Sequence, residues 1–224
     1  MRFERKQSAL PRVGHICIWL VIAALPAAAA DLYVGDGEPG SYATIQEAVD
    51  AANPGDTVYV TPGEYFEHLD VDKALNLLGL EPAAVDGGGA GTILTLRASD
   101  ILVSGLTFAN GDEGIRVAPD YGERLENVEV RGNVLVDNVR GLYLYRSWGW
   151  LSASTVADNL IQDNSWGIST AGSTYYAGTL SDITFAGNTI VDNVTGMSLG
   201  QRATSNRVYN NNFIDNGTNA EDAT

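Results

Sequence analysis

From about Ile101 to Ala220 the apolar and polar positions repeat one pattern five times. GLTFANGDEGI (105–115) aligns with GNVLVDNVRGL (132–142), DNLIQDNSWGI (158–168), GNTIVDNVTGM (187–197) and NNNFIDNGTNA (210–220). The position of Gly114 recurs at Gly141, Gly167, Gly196 and Asn219, at intervals of 27, 26, 29 and 23 residues. Phe108, Leu135, Ile161, Ile190 and Phe213 form one apolar column, and Ile115, Leu142, Ile168, Met197 and Ala220 a second. A period in the twenties with fixed apolar columns means stacked solenoid rungs, each a unit that cannot bury its apolar face alone. Apolar residues two apart, as in Val128/Val130 and Ile183/Phe185, carry the period of a strand. The several fixed leucines of a leucine-rich repeat are missing. Short strands broken by frequent turns therefore predict an all-β right-handed parallel β-helix. Each strand should pair with its copy one rung away, at about 4.8 Å.

Two polar columns sharpen this prediction. Asn133, Asn159, Asn188 and Asn211 are equivalent, as are Asn138, Asn164, Asn193 and Asn216. Asn at a rung corner is expected to take the left-handed backbone of a tight turn. Stacked amides can also hydrogen-bond up the axis. Asn193-Val194-Thr195 and Asn216-Gly217-Thr218 match the glycosylation pattern, but a buried ladder amide cannot carry a glycan.

The N-terminal third follows other rules. In residues 1–30, Arg2, Arg5, Lys6 and Arg12 precede an apolar core from Ile16 to Leu25 and the small residues Ala28-Ala29-Ala30. This arrangement predicts a secretory signal peptide, too short to span a membrane. Residues 31–56 should form an N-terminal cap, a short strand followed by a helix over Ile45–Ala52. Thr44 and Glu47 supply a capping box, and Asn53-Pro54-Gly55 the stop. Such a helix could cover the open end of a β-helix built by residues 57–224. The sequence ends among the rungs with no visible cap, which allows end-to-end self-association at the C-terminal rung.

Charge and composition narrow the partners. Removing the leader's four basic residues and one acidic residue from 13 Lys/Arg and 28 Asp/Glu leaves 9 against 27, a formal charge of −18. Nucleic acid and anionic membrane surfaces are poor partners for that charge; cations and sugars fit better. The single Cys, Cys17, lies in the leader, so the remainder has no disulfides or thiolate metal sites. The expected location is secreted, periplasmic or at the cell surface.

The segments YATIQEAVDAANPGDTVYVTPGEYFEHLDVDKALNLLGLE (42–81) and DGGGAGTILTLRASDILVSGLTFANG (86–111), with the N-x-I-x-x-N-x-x-G rungs, resemble the pectin-lyase-like superfamily. Within it the chain is most similar to the periplasmic copper-binding (nitrous-oxide reductase accessory) β-helix family and related carbohydrate-binding and sugar-hydrolase repeats. The resemblance implies the fold and raises copper, which the residues disfavour: after the leader only His68 and Met197 remain as borderline or soft donors. Esterase motifs of the superfamily are missing. Its lyases use calcium-binding carboxylates and an Arg base, which are positions rather than motifs.

Two groups of residues could carry chemistry. Asp137, Asp163, Asp192 and Asp215 each precede a ladder Asn and form an acidic column, either a solvated turn edge or a calcium stripe. Tyr143, Tyr145, Arg146, Trp148, Trp150, Trp166, Tyr175 and Tyr176 gather within 34 residues. Leu142 and Leu144 should point inward, leaving Tyr143 and Tyr145 on the outer wall beside Arg116 and Arg140. Aromatic faces with polar handles make a sugar platform, or else the rings simply pack on the wall. The expectation is a non-catalytic or weakly catalytic protein that binds polysaccharide or cell-envelope glycan along this aromatic edge. Alternatives are a calcium-dependent polysaccharide lyase or glycosidase, and a structural envelope module.

Overall fold

The computed structural model describes residues 28–35, 40–145, 149–170 and 178–222. Over these residues the alternating apolar positions wind into a right-handed parallel β-solenoid of about seven turns, with one short helix. Three sheets form its walls. The first has 13 strands, and each turn after the strand Ile101–Ala109 contributes two of them. The second has seven strands, from Leu69–Val71 to Thr218–Asp222, and the third has four, from Arg124–Glu126 to Ala203–Thr204.

Both predicted apolar columns are in register. Phe108, Leu135, Ile161, Ile190 and Phe213 pair in succession on the first wall. Ile115, Leu142, Ile168, Met197 and Ala220 do so on the second. Their side chains meet in one core that runs the length of the coil, except in the last described turn, where Phe213 is partly open and Ala220 exposed.

The asparagine columns line two inner corners. Asn159 shows the pattern: its backbone N–H and its Nδ2 both donate to Asn188 Oδ1, at 3.1 and 2.9 Å, and Nδ2 also reaches Val130 O at 2.9 Å. Asn164 is held in the same way by Asn193 Oδ1 and Leu135 O. The left-handed residue, however, is the one before each asparagine. Asp137, Asp163, Asp192 and Asp215 have φ between 49 and 56°. At the other corner Gly132, Asp158, Gly187 and Asn210 take the same role. Turning the chain at the preceding residue points the asparagine inward, where its amide replaces the strand bonds that a corner interrupts. Asn193 is 2% exposed, so it is a ladder residue and no glycan acceptor.

The recurring glycines answer to crowding. A Cβ on Gly114, Gly141, Gly167 or Gly196 would lie 2.7, 2.8, 2.4 or 2.6 Å from the carbonyl oxygen of the equivalent residue one rung on. The rungs approach too closely there for any side chain.

The helix spans Ile45–Ala51, with the predicted capping box between Thr44 and Glu47. Glu67 adds a second cap, its carboxylate accepting from the N–H groups of Ile45 and Gln46. Ile45, Ala48 and Val49 face the core. Gln46 lies against the strand Leu69–Val71 and satisfies both backbone groups of Asp70: Oε1 accepts its N–H at 2.8 Å and Nε2 donates to its C=O at 3.2 Å. A side-chain amide thus stands in for a neighbouring strand at the edge of the second wall. The first wall starts one residue before Asp31. Ala30 N–H donates to Asp56 Oδ1 at 2.7 Å, and Ala30 C=O accepts from Thr57 N–H at 2.9 Å.

Candidate functional site: an arginine–tyrosine wall

Strand alternation builds this site on the outside of the second wall. In Arg140–Leu144, Leu142 and Leu144 point into the core, while Tyr143 and Tyr145, one residue past the strand, stand half-exposed. Pairing between rungs then sets Tyr143 between Arg116 and Ser169, and Arg140 between Glu113 and Trp166. Two outer columns therefore run side by side, one of Glu113, Arg140 and Trp166, the other of Arg116, Tyr143 and Ser169.

Charge and ring geometry lock these residues together. The guanidinium carbon of Arg116 lies 4.1 Å from the Tyr145 ring centre and 5.8 Å from that of Tyr143. Arg140 sits 4.9 Å over Tyr143, and the two rings are 5.7 Å apart. A cation over an aromatic face is attracted by the ring's quadrupole. Glu113, 7% exposed, steadies both cations: Oε2 accepts from Arg116 at 3.4 Å and from Thr92 Oγ1 at 2.7 Å, and Oε1 lies 3.9 Å from Arg140. Burial pushes the Tyr143 phenol above its ordinary value, with Glu113 and Tyr145 adding to the effect and the two arginines opposing it. The phenol stays neutral and able to donate. Arg116 Nε and Ser169 Oγ are buried and make no protein hydrogen bond.

Beside the rings opens a cavity of about 310 Å³, lined by Thr95, Arg97, Arg116, Ala118, Pro119, Asp120 and Tyr145. Its Arg97 is held by Asp70, with Nε donating to Oδ1 at 2.9 Å and a second contact from Nη2 to Oδ2. That bond raises the affinity of Arg97 for its proton. Flat rings, fixed cations and a polar recess together offer stacking area and directional donors to a polyhydroxylated ligand.

The expected aromatic cluster divides. Tyr143, Tyr145 and Trp166 share this wall, and Trp166 is 36% exposed. Trp150 belongs to the third wall, half-buried and paired with Arg124, so it is not part of the same face. Arg146, Trp148, Tyr175 and Tyr176 lie outside the described residues. Sequence reasoning missed Glu113, Arg97 and Asp120. Glu113 had one visible sign, because it aligns with Arg140 and Trp166 just before the glycine column.

Asp137, Asp163, Asp192 and Asp215 do form an exposed row, because their left-handed corners turn the side chains outward. Among the described residues no three His, Cys, Asp or Glu side chains come together closely enough to hold a metal ion. Nor is any helix among them long and apolar enough to cross a membrane.

Comparison with known proteins agrees with the coil. The model of one family, periplasmic copper-binding protein (NosD), matches residues 80–224. This chain belongs to the NosD family. Among solved structures, the Escherichia coli protein ybhc superposes with a TM-score of 0.52 at 13% identity, over 85% of this chain and 62% of that one. The chain thus spans less than two thirds of that protein's length. A pectin methylesterase from Aspergillus niger aligns at 14% identity over 84% of this chain and 86% of its own, with a TM-score of 0.46. An alginate lyase from Paenibacillus aligns at 11% over 86% and 99%, with a TM-score of 0.37. At 13% identity the likeness to ybhc shows a shared fold alone. No curated protein sequence matches the chain.

The NosD description names copper, and the donors here do not fit it. His68 Nδ1 is bonded to Thr92 O at 2.8 Å, and Met197 is 2% exposed within the core column. No second soft or imidazole donor accompanies either among the described residues, whereas copper favours several converging ones.

Proposed function

We propose that this NosD-family chain is a periplasmic, envelope-facing β-helix protein that binds polysaccharide on the arginine–tyrosine wall. The observation that carries this reading is the pair of rings fixed by Arg116 and Arg140 next to a polar recess. A flexible aromatic surface would lose conformational entropy on binding. Here Glu113 and the register between rungs have already ordered it.

The test is a glycan array, with and without Ca²⁺, run beside an assay for released products. Binding without products is the expected result. Tyr145→Ala should weaken it about tenfold, close to 1.4 kcal/mol, while leaving the circular dichroism spectrum unchanged. Unsaturated products would instead establish a lyase, and new reducing ends a glycosidase. Binding only with Ca²⁺ would bring the acidic row into the site. Silence across the array would leave a structural module of the envelope.

A further inference from the structure

One buried carboxylate has no role in the wall just described. Asp56 is 3% exposed. Its Oδ1 accepts from Ala30 N–H at 2.7 Å, and Oδ2 accepts from Asn53 N–H at 2.7 Å and Asn53 Nδ2 at 3.4 Å. These donors hold the carboxyl below its ordinary pKa, the Ala30 amide foremost. Asp56 is therefore ionised, yet no Lys, Arg or His pairs with it among the described residues. Of the charged groups on adjoining segments, Lys73 is engaged by the carbonyls of Val49, Asp50 and Ala52, and Asp31 has the same sign as Asp56. Its three N–H donors satisfy the anion, but none of them carries a charge.

The sequence around Ala30 offers a cation. Residues 27–30 are all alanine, so the small-residue rule for leader removal is met in two registers. One cut falls between Ala29 and Ala30, the other between Ala30 and Asp31. The second would discard Ala30, leaving Asp56 Oδ1 without its donor and Thr57 N–H without its acceptor. The first keeps both bonds and turns the Ala30 amide into a free amine in the same place. Ala30 is exposed, so the bond before it is open to a peptidase.

We propose that a leader peptidase hydrolyses the Ala29–Ala30 bond and that the resulting α-ammonium of Ala30 docks on Asp56. Water adds across the peptide bond: the carboxylate stays on Ala29, and the amine on Ala30 takes up a proton. The distance of 2.7 Å already suits a charge-assisted hydrogen bond. Removal of the leader thereby supplies the counter-charge that completes the first rung.

The test begins with the full chain expressed with its own leader in a host that exports it. The intact mass of the envelope fraction should correspond to a protein starting at Ala30. A start at Asp31, or an uncut chain, overturns the proposal. Thermal melts of the processed protein give a second, independent readout. Pairing stabilises the protonated ammonium, so the protection is present below its ordinary titration at about pH 7.7–8.0 and is lost as pH rises above it. Tm should fall between about pH 7 and pH 10, and Asp56→Asn should flatten that fall. Should Asp56→Asn not fold, a chain retaining Ala29 moves the charge one residue away and keeps the N–H. It should melt several degrees lower at pH 7 and converge with the processed chain at about pH 10. Equal melting at every pH would show that the ammonium does not dock.

Discussion

A single asparagine amide at a rung corner replaces several strand bonds at once. Asn164, 2% exposed, donates from its backbone to Asn193 Oδ1, donates from Nδ2 to Leu135 O and Gln162 O, and accepts from Asn138 N–H. Asn164→Leu keeps the backbone N–H but removes Nδ2 and Oδ1 without letting water in, and each partner left unpaired costs about 1–3 kcal/mol. The variant should lose at least that much in a urea titration; an unchanged midpoint would mean the corner is wet. The residue before each asparagine carries the opposite duty, a left-handed backbone. At the third corner Asp100, Asn127, Asp182 and Ser205 take this conformation, and so does Ala153 at φ 48°. Alanine gains nothing there and bears the Cβ penalty, so Ala153→Asn should stabilise by roughly 0.5–1 kcal/mol, read as a raised Tm. The columns themselves were legible because Asn recurs. Which residue of the Asp-Asn pair turns the chain was not, because Asp, Asn, Gly, Ala and Ser all fill left-handed corners here and composition leaves no mark of φ.

At the scale of strands and helix, the closeness of neighbouring rungs does the selecting. The glycine column reads in sequence as a row of turns, yet its members sit inside strands of the second wall, where a Cβ would strike the next rung's backbone. Gly141→Ala should therefore destabilise by about 1–3 kcal/mol, because a carbonyl held by the sheet cannot move aside as a side chain can. A neutral result in denaturant would show that the rungs can spread. The helix was readable to within a residue, since its capping box and apolar face are local signals. The wall site was only half readable. Tyr143 and Tyr145 follow from alternation, but the cavity draws Arg97, Arg116 and Tyr145 from three successive turns, and nothing local connects them. Trp150 was misplaced for the converse reason: five residues after Tyr145, the chain has already turned onto another wall.

For the whole molecule, stacking makes the rung the natural unit of change. Deleting residues 138–163 joins Asp137 to Asn164 and removes one complete turn, so every ladder and column closes again. That shortened protein should give a strand-dominated circular dichroism spectrum and one cooperative melt at reduced Tm. Deleting 138–150 instead puts Leu151 where a ladder asparagine belongs, and should leave no cooperative transition. The two outcomes together check whether stability is assembled turn by turn. Register also explains the uneven period. Asparagines of the two ladders stand five residues apart in every turn, as Asn133 and Asn138 or Asn211 and Asn216 do. Between the end of the second wall and the third corner the spacing varies: 10 residues from Val117 to Asn127, 9 from Leu144 to Ala153, 12 from Thr170 to Asp182 and 6 from Leu199 to Ser205. From Ile101 onward the freedom in chain length is let out along one rim. Pro119 and Asp120, which help enclose the recess beside the tyrosines, stand on that same rim. A lineage could thus retailor what the recess admits, one loop at a time, while the coil beneath it stays the same.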